Sequence, residues 1–211
     1  MIKIEKPQIV GWDNAIRGAR NPLNSWDRMD SNVFYGDWGE EIKMGPNDYK
    51  LLTRLANAGS DHGKFMRMIG VYVDITAPLY WWKEFDTYKV GTVANSCSTM
   101  HKIQAKEFIL DDFSHEHLGA YSKGILNSVI ETLNQYRDLF NKEKNKDYWW
   151  QMIQLLPSSY NQKRTIMLNY EVLKNMYNAR KSHKLDEWRT FCGWIESLPY
   201  SELITGGRIN G

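Results

Sequence analysis

Residues 70–89 read GVYVDITAPLYWWKEFDTYK and place a strand directly before a helix. Val71, Val73 and Ile75 alternate with polar or aromatic side chains, which is the two-residue period of a half-buried strand. Pro78 suits the first turn of the helix that follows. The segment therefore predicts an α/β arrangement of strand, helix and loop.

Apolar spacing and capping residues predict the helices around this segment. Asn47 is expected to cap a helix that ends at Gly59, and residues 119–141 carry the longest helical stripe. Further helices are predicted at about 165–180 and 185–198. The apolar positions are Leu51, Leu52, Leu55 and Ala58 in the first helix, Leu126, Val129, Ile130, Leu133 and Phe140 in the longest, and Trp188, Cys192 and Ile195 in the last.

The two ends of the chain show no sustained period. Residues 1–45 are rich in Gly, Asn, Asp and Trp, and we expect a short helix followed by loops. The last residues, TGGRING at 205–211, predict a frayed tail.

Length and composition indicate one globular domain spanning residues 1–211, with 42% hydrophobic and 25% charged residues. No apolar run reaches the roughly 20 residues of a membrane helix, and the N-terminus lacks a signal peptide, so we expect a cytoplasmic protein.

The net charge of +2 argues against nonspecific binding of duplex nucleic acid. Cys97 and Cys192 are expected to be reduced thiols.

The first candidate site is the loop Tyr88–His101, YKVGTVANSCSTMH. Backbone N–H groups and short polar side chains in such loops approach phosphates and nucleotide edges closely. The alternative is an ordinary loop that satisfies its own backbone.

A second candidate comprises Asn169, Leu173 and Arg180, whose spacing places them near one helical face. A guanidinium at the helix end can grip a phosphate or a uracil carbonyl with forked donors. The alternative is a solvated arginine that complements the helix dipole.

A third candidate, DDFSHEH, offers Asp111, Asp112, His115 and His117 as metal ligands. Two imidazoles without a recognised third ligand are a weak signal, and we predict no metal site. The simpler interpretation is that Ser114 caps the next helix and the charges are solvated.

In order, the segments from about Ala15 to Leu198 resemble those of the flavin-dependent thymidylate synthases. That family has a helix, a histidine-bearing turn, a strand ending in Ala-Pro, a second helix and the motif R-H-R-x-x-S-x-N-x-x-S-x-R-Y. Aligned from Ala77-Pro78, with one extra residue inside the motif, the chain keeps similar or identical side chains at Lys89, Thr92, Asn95 and Ser98. Thr87, Tyr88, Met100 and His101 stand at the positions of its Arg, His, Arg and Tyr.

The C-terminal part matches the family more closely. A Leu-Pro pair at 156–157 is followed by the pattern Asn-x-x-x-Leu-x-x-x-x-x-x-Arg, which this chain fulfils with Asn169, Leu173 and Arg180. A further family arginine, four residues before the proline, is Ile153 here.

The resemblance implies an α/β fold with a twisted, mainly antiparallel sheet flanked by helices, and a homo-oligomer, expected to be a tetramer, with shared sites. It implies binding of FAD and a pyrimidine nucleotide, dUMP, with methylene-tetrahydrofolate and NADPH as cosubstrates. The implied cofactor contacts are Lys89, Thr92, Asn95 and Asn169. The implied nucleotide contacts are Ser98 and Arg180, with His62 and Arg67 as auxiliary contacts, and Arg180 is the residue assigned to catalysis.

The replaced arginines leave a second hypothesis open. Each lost charge-assisted hydrogen bond is worth about 1.5–3 kcal/mol, so losing several weakens the binding of phosphate and activated uracil. Either the site is rebuilt with Lys89, Lys102, Arg67 or the arginines of RGAR at 17–20, or the chain keeps the fold for another ligand. The alternative to an enzyme is a catalytically silent nucleotide-binding protein.

Overall fold

The computed structural model describes residues 2–36 and 39–207. The chain has a mixed α/β fold in which antiparallel sheets are flanked by helices, which confirms the predicted fold class. Residues 208–211 of the predicted frayed tail lie outside the described residues.

The strands form two sheets. The four-stranded sheet has the order β1 (Lys3–Val10), β4 (Gly70–Pro78), β6 (Asn161–Asn169) and β5 (Val93–Ser96). In the second sheet, β2 (Asn32–Gly36) pairs antiparallel with β3 (Gly39–Lys43), and Asn32 lies opposite Lys43.

The helices are α1 (Trp12–Arg20), α2 (Pro46–Asn57), α3 (Leu79–Phe85), α4 (Ala120–Glu143), α5 (Lys146–Leu155), α6 (Tyr170–Arg180), α7 (Asp186–Glu196) and α8 (Glu202–Thr205). Short 3₁₀ turns occupy Asn21–Leu23, Trp26–Arg28, Gly63–Met68 and Leu110–Asp112. No helix within the described ranges is long and apolar enough to span a bilayer.

The chain divides into two compact units. The first unit comprises Met1–Lys3, Ile75–Thr87 and Asn95–Arg164, and the second comprises Ile4–Asp74, Tyr88–Ala94 and Thr165–Gly211. That residues 1–211 act as a single domain stays a prediction.

The core of the first unit forms around the long helix α4. Its predicted stripe is confirmed, because Leu126, Ile130 and Leu133 are buried. They cluster with Ile103, Phe108, Phe113 and Met152, and α4 packs along α5.

The core of the second unit is rich in aromatic side chains. Trp12 is fully buried and makes edge-to-face contacts with Tyr170 at 5.2 Å and Tyr200 at 5.7 Å. Helix α7 confirms its predicted apolar side, since it buries Trp188, Cys192 and Ile195. Both cysteines of the chain are free thiols.

The prediction of a helix from about Thr165 to Arg180 is wrong in its first part. Residues 161–169 form β6, and the helix begins at Tyr170. Gln162 is buried and donates from its side chain to the carbonyl of Cys97 at 2.8 Å, so a polar residue takes an inward position of this strand. That residue hides the apolar alternation from which a strand is normally predicted.

The expectation of a helix and loops for residues 1–45 is also incomplete. Helix α1 is present, but β1, β2 and β3 are strands. Almost all of their side chains are exposed or half-buried, so these strands carry little of the alternation that a buried sheet face requires.

Two predicted helix caps are corrected. Gly45 is the N-cap of α2, and the carboxylate of Asp30 accepts from the backbone N–H groups of Asn47 at 2.9 Å and Asp48 at 3.0 Å. A side chain distant in sequence thus supplies the cap expected from Asn47. Ser114 does not cap α4, which starts after Gly119; its hydroxyl donates to Asn161 Oδ1 at 2.9 Å.

Candidate functional site

The segment 88–92 of the second unit contacts both ends of helix α6. Gly91 has a φ of +79°, and a Cβ atom there would lie 3.0 Å from both Asn169 Nδ2 and Val172 Cγ2. A glycine is therefore required by backbone conformation and by space. At the other end of α6, Tyr88 Oη accepts a hydrogen bond from Arg180 Nε at 3.0 Å.

Arg180 is half-buried beside two aromatic rings. The centre of its guanidinium lies 4.9 Å from the ring of Trp188 and 5.7 Å from the ring of Tyr88. Trp188 is fully buried, so one of the two rings beside the guanidinium is fixed by the core. A stacked, planar cation of this kind is well oriented to meet a phosphate or a carbonyl group.

Asn169 is the N-cap of α6 and is buried, at 7% exposure. Its Oδ1 accepts from the backbone N–H of Val172 at 3.0 Å, while its amide nitrogen faces Gly91. The side chain thus caps α6 and packs closely against Gly91. Its flavin contact stays a prediction.

The two other candidate side chains of this segment differ in their surroundings. The Thr92 hydroxyl donates to the carbonyl of Tyr88 at 2.6 Å and so stabilises the turn around Gly91. Lys89 is exposed and presents its ammonium group at the surface beside this turn.

Arg67 is paired with a carboxylate. Its Nη2 donates to Glu171 Oε1 at 3.1 Å, and its Nε donates to the other carboxylate oxygen. Glu171 lies in the first turn of α6, where a negative charge complements the helix dipole. The positive charge of Arg67 is therefore balanced by the carboxylate of Glu171. The auxiliary contact of Arg67 with the nucleotide stays a prediction.

His62 lines a cavity of about 840 Å³ within the second unit. Its apolar walls include Leu51, Leu55, Phe65 and Met68, and its charged lining consists of Arg54 and Lys64 against one carboxylate, Asp61. The volume lies within the range of small-molecule sites, and the combination suits a planar ligand that carries negative charge.

Asn95 and Ser98 belong to the first unit. Asn95 is exposed within β5, so the predicted continuous loop Tyr88–His101 is corrected to two turns separated by a strand. Ser98 Oγ accepts from the backbone N–H groups of Met100 at 3.1 Å and His101 at 2.9 Å. The Ser98 hydroxyl thus satisfies its own turn, as in the alternative interpretation of this loop.

Ile153 has a structural role. It is partly buried and packs against the hydrophobic cluster around Leu126 and Met152 in the first unit. An arginine at this position would place a charge beside that cluster, so the replacement is consistent with the local core.

Two of the candidate metal ligands, Asp112 and His115, already make contacts within the protein. Asp112 Oδ2 accepts from the backbone N–H of Ile109 at 3.1 Å, and Asp112 also pairs with Lys106. His115 Nδ1 lies 2.8 Å from the carbonyl oxygen of Phe113. Across residues 2–36 and 39–207, no three His, Cys, Asp or Glu side chains assemble as metal ligands.

Comparison of the whole fold identifies related structures. One structure of thymidylate synthase X from Helicobacter pylori, solved with FAD and dUMP, matches 98% of this chain and 98% of its own with a TM-score of 0.69 and 15% identity. A second structure of the Helicobacter pylori enzyme with the same ligands covers 94% and 95%, with a TM-score of 0.66 and 16% identity. The chain has the thymidylate synthase X fold. No family model and no curated protein matches it by sequence.

Within its thymidylate synthase X fold, the segment 88–92 connects several predicted site residues. It carries Lys89 and Thr92, packs at Gly91 against Asn169, and contacts Arg180 at the other end of α6 through Tyr88. His62 and Arg67 instead lie at the 3₁₀ turn Gly63–Met68 and the residue before it.

Sequence reasoning missed the two residues that contact the guanidinium of Arg180. Tyr88 supplies both a ring and a hydrogen-bond acceptor, and Trp188 supplies a buried ring. In the sequence, Tyr88 could have been identified from its position at the histidine of the family motif. The sequence pattern of Trp188 indicates only a core residue.

Proposed function

We propose that this chain is a flavin-dependent thymidylate synthase. It would bind FAD and dUMP, or a related pyrimidine nucleotide, and methylate the base with methylene-tetrahydrofolate and NADPH as cosubstrates. The observation that carries the proposal is the fold match along 98% of both chains to an enzyme solved with FAD and dUMP. A homotetramer in the cytoplasm belongs to the same proposal.

Arg180 is the residue we assign to the nucleotide. Tyr88 and Trp188 fix its guanidinium, so little side-chain freedom remains to be lost when a ligand binds. Its role is to neutralise charge on a uracil carbonyl or a phosphate. The family mechanism requires no enzyme nucleophile, and none is assigned to this chain.

The residues of the second unit fit a flavin. The cavity around His62 combines apolar walls with two cations, Arg54 and Lys64, which outnumber the one carboxylate, Asp61, so its lining suits a planar, anionic cofactor. The exposed Lys89 supplies one more cation for a phosphate. When bound, a flavin supplies the redox chemistry, while these side chains hold and orient it.

The decisive experiment combines flavin binding with turnover. The purified chain is titrated with FAD by flavin fluorescence, and thymidylate formation is then measured with dUMP, methylene-tetrahydrofolate and NADPH. Lys89→Ala should weaken FAD binding, and Arg180→Ala should weaken dUMP binding. Lys181→Ala is the matched control, because Lys181 is exposed at the same helix end.

The outcomes separate the two functional hypotheses. Thymidylate formation that depends on Arg180 supports the enzyme. Binding of FAD and dUMP without turnover identifies the catalytically silent protein instead. Failure to bind either ligand at high micromolar concentration contradicts both hypotheses.

A further inference from the structure

A small cavity of about 230 Å³ in the second unit is lined by the end of α2, the 3₁₀ turn Gly63–Met68 and helix α6. Its volume lies below the roughly 300–1,000 Å³ of pockets for drug-sized ligands, so it has room for a small group only. A Cβ atom built on Gly59 would meet nothing within 4 Å, so this part of the lining is open. The polar side chains of the lining are Asn57, Ser60, Glu171, Lys174 and Asn175.

Lys174 is half-buried in this lining, and its Nζ donates to the carbonyl oxygen of Ala56 at 2.5 Å. Ala56 lies in the last turn of α2, where backbone carbonyls lack a partner within the helix. An ammonium group carries several N–H donors, so this one acceptor replaces only part of the hydration that burial removes.

The charged groups around the Lys174 amine are one carboxylate and the guanidinium paired with it. Glu171 lies one turn earlier on α6, and its carboxylate also accepts from Arg67 on the 3₁₀ turn. The end of α2 contributes the uncharged Ala56 and Asn57 to the described lining. Burial lowers the pKa of Lys174 and outweighs the opposing effect of Glu171. The nucleophilic neutral amine is therefore more abundant near neutral pH than in an exposed lysine.

We propose that Lys174 is a site of covalent acylation by small acyl phosphates. The neutral Nζ attacks the acyl carbon, and a C–N bond forms as the bond from that carbon to the phosphate oxygen breaks. The phosphate leaves with the electron pair of the broken bond, and the amine loses a proton to water. Nothing is oxidised or reduced.

The surroundings of Lys174 suit the product better than the ammonium. An amide carries no charge, so the unfavourable burial of a charged group is relieved. The amide keeps one N–H, which can still donate to the carbonyl of Ala56, while the short acyl group occupies the cavity beside Gly59. The hydroxyl of Ser60 and the amide of Asn175 supply donors for the acyl oxygen.

Acetyl phosphate is the probe for this site, with the full native chain at about pH 7.5, where an ordinary lysine is almost entirely protonated. The chain is then digested at acidic residues, and acetylation is quantified at each lysine by mass spectrometry. We expect Lys174 to react at least about threefold faster than Lys181, which is exposed at the end of the same helix. In guanidinium chloride the two lysines should react equally. A native Lys174 that reacts no faster than Lys181 is only a helix cap, which overturns the proposal.

A variant of the neighbouring carboxylate tests the electrostatic control of the same amine. Glu171→Gln removes a charge that favours the ammonium, so it should raise the rate at Lys174 relative to Lys181 in the same chain. Glu41→Gln, at an exposed position outside the lining, should leave this ratio unchanged. An unchanged or lower ratio in Glu171→Gln also overturns the proposal. The measurement needs neither FAD nor dUMP, so its outcome is independent of the proposed synthase function.

Discussion

Arg180 donates from Nε to the phenol oxygen of Tyr88 over 3.0 Å, although the two residues are 92 positions apart. The contact brings the segment that follows α3 to the C-terminal end of α6, within the second unit. In the motif that the sequence resembles, a histidine stands at the position of Tyr88, and Tyr88 likewise offers an aromatic ring with a hydrogen-bonding group. The chain therefore orients its best-matched arginine through a residue that differs from the family pattern.

We predict that Arg180→Ala weakens dUMP binding about ten- to a hundredfold, equivalent to about 1.5–3 kcal/mol. Arg180→Lys should restore part of this, because a point charge cannot form two parallel hydrogen bonds. Tyr88→Phe keeps the ring but removes the hydroxyl that accepts from Arg180, and we expect it to weaken dUMP binding about three- to tenfold. Calorimetric titration with dUMP measures all three. Equal affinity of Arg180→Ala and wild type would remove the assignment of Arg180 to the nucleotide.

The strands and helices that can be predicted from the sequence are those whose apolar residues all lie on one face of the element. Strand β4 and helix α4 were recognised because their apolar residues are the buried ones. Only residues 165–169 of β6 are predicted as helix, because Ile166, Met167 and Leu168 form a continuous apolar run without alternation. In the first half of the strand, Gln162 is buried and the guanidinium of Arg164 lies 4.2 Å from the Trp82 ring, so no apolar period marks it either. Polar side chains that find partners inside the protein leave no periodic signal.

The candidate site was predictable only in part for a similar reason. Asn169 and Arg180 were found by spacing, but their partners Gly91 and Tyr88 are brought to them by tertiary contacts. Local sequence contains no information on which distant segment meets a helix end.

We expect Gly91→Ala to destabilise the chain by about 1–3 kcal/mol. The φ of +79° is unfavourable for alanine, and the added Cβ would crowd Asn169 and Val172 at 3.0 Å. Urea unfolding measures the loss. Gly193→Ala in helix α7 is the control: nothing lies within 4 Å of its Cβ, so it should stabilise by about 0.5–1 kcal/mol. Stabilisation by both changes would contradict the packing described for segment 88–92.

Asp48 and Arg20 form a buried ion pair, and we predict that Asp48→Asn costs about 3–5 kcal/mol. Asp48 is fully buried, and its Oδ1 lies 2.6 Å from Arg20 Nη2. Urea unfolding at neutral pH is the measurement, with Asp27→Asn as the exposed control. If Asp48→Asn lowers the free energy of unfolding no more than Asp27→Asn does, the ion pair contributes little to stability.

The same pair gives the stability a defined pH dependence. Burial raises the pKa of Asp48, but hydrogen bonds from Ser31 and Asp30 and the charge of Arg20 outweigh burial and hold the pKa below its ordinary value. The carboxylate therefore stabilises the fold above about pH 4, and this contribution is lost as the pH falls through the lowered pKa. The difference between wild type and Asp48→Asn should shrink on acidification.

The two cysteines should react at very different rates with a thiol reagent. Cys97 is exposed, whereas burial, helped by Glu196, raises the pKa of the buried Cys192 to about 11. Because the thiolate is the reactive form, we expect one fast thiol per native chain at about pH 8. Cys97→Ser should remove the fast phase, and denaturant should restore the reactivity of Cys192. Two fast thiols in the native wild type would contradict the burial of Cys192.

Exposed apolar side chains on α4 predict that the chain assembles with copies of itself, and we expect a tetramer. Tyr121 is 84% exposed and Ile125 is 53% exposed, on the same helix that buries Leu126. Stable interfaces bury about 1,200–2,000 Å² and are enriched in aromatic residues. Light scattering on the eluting protein measures the mass, and a clean 24.8 kDa monomer at micromolar concentration would argue strongly against sites shared between subunits. Ile125→Glu should lower the mass because it introduces a charge into the interface, whereas Thr190→Glu, at an exposed position of α7, should leave the assembly unchanged.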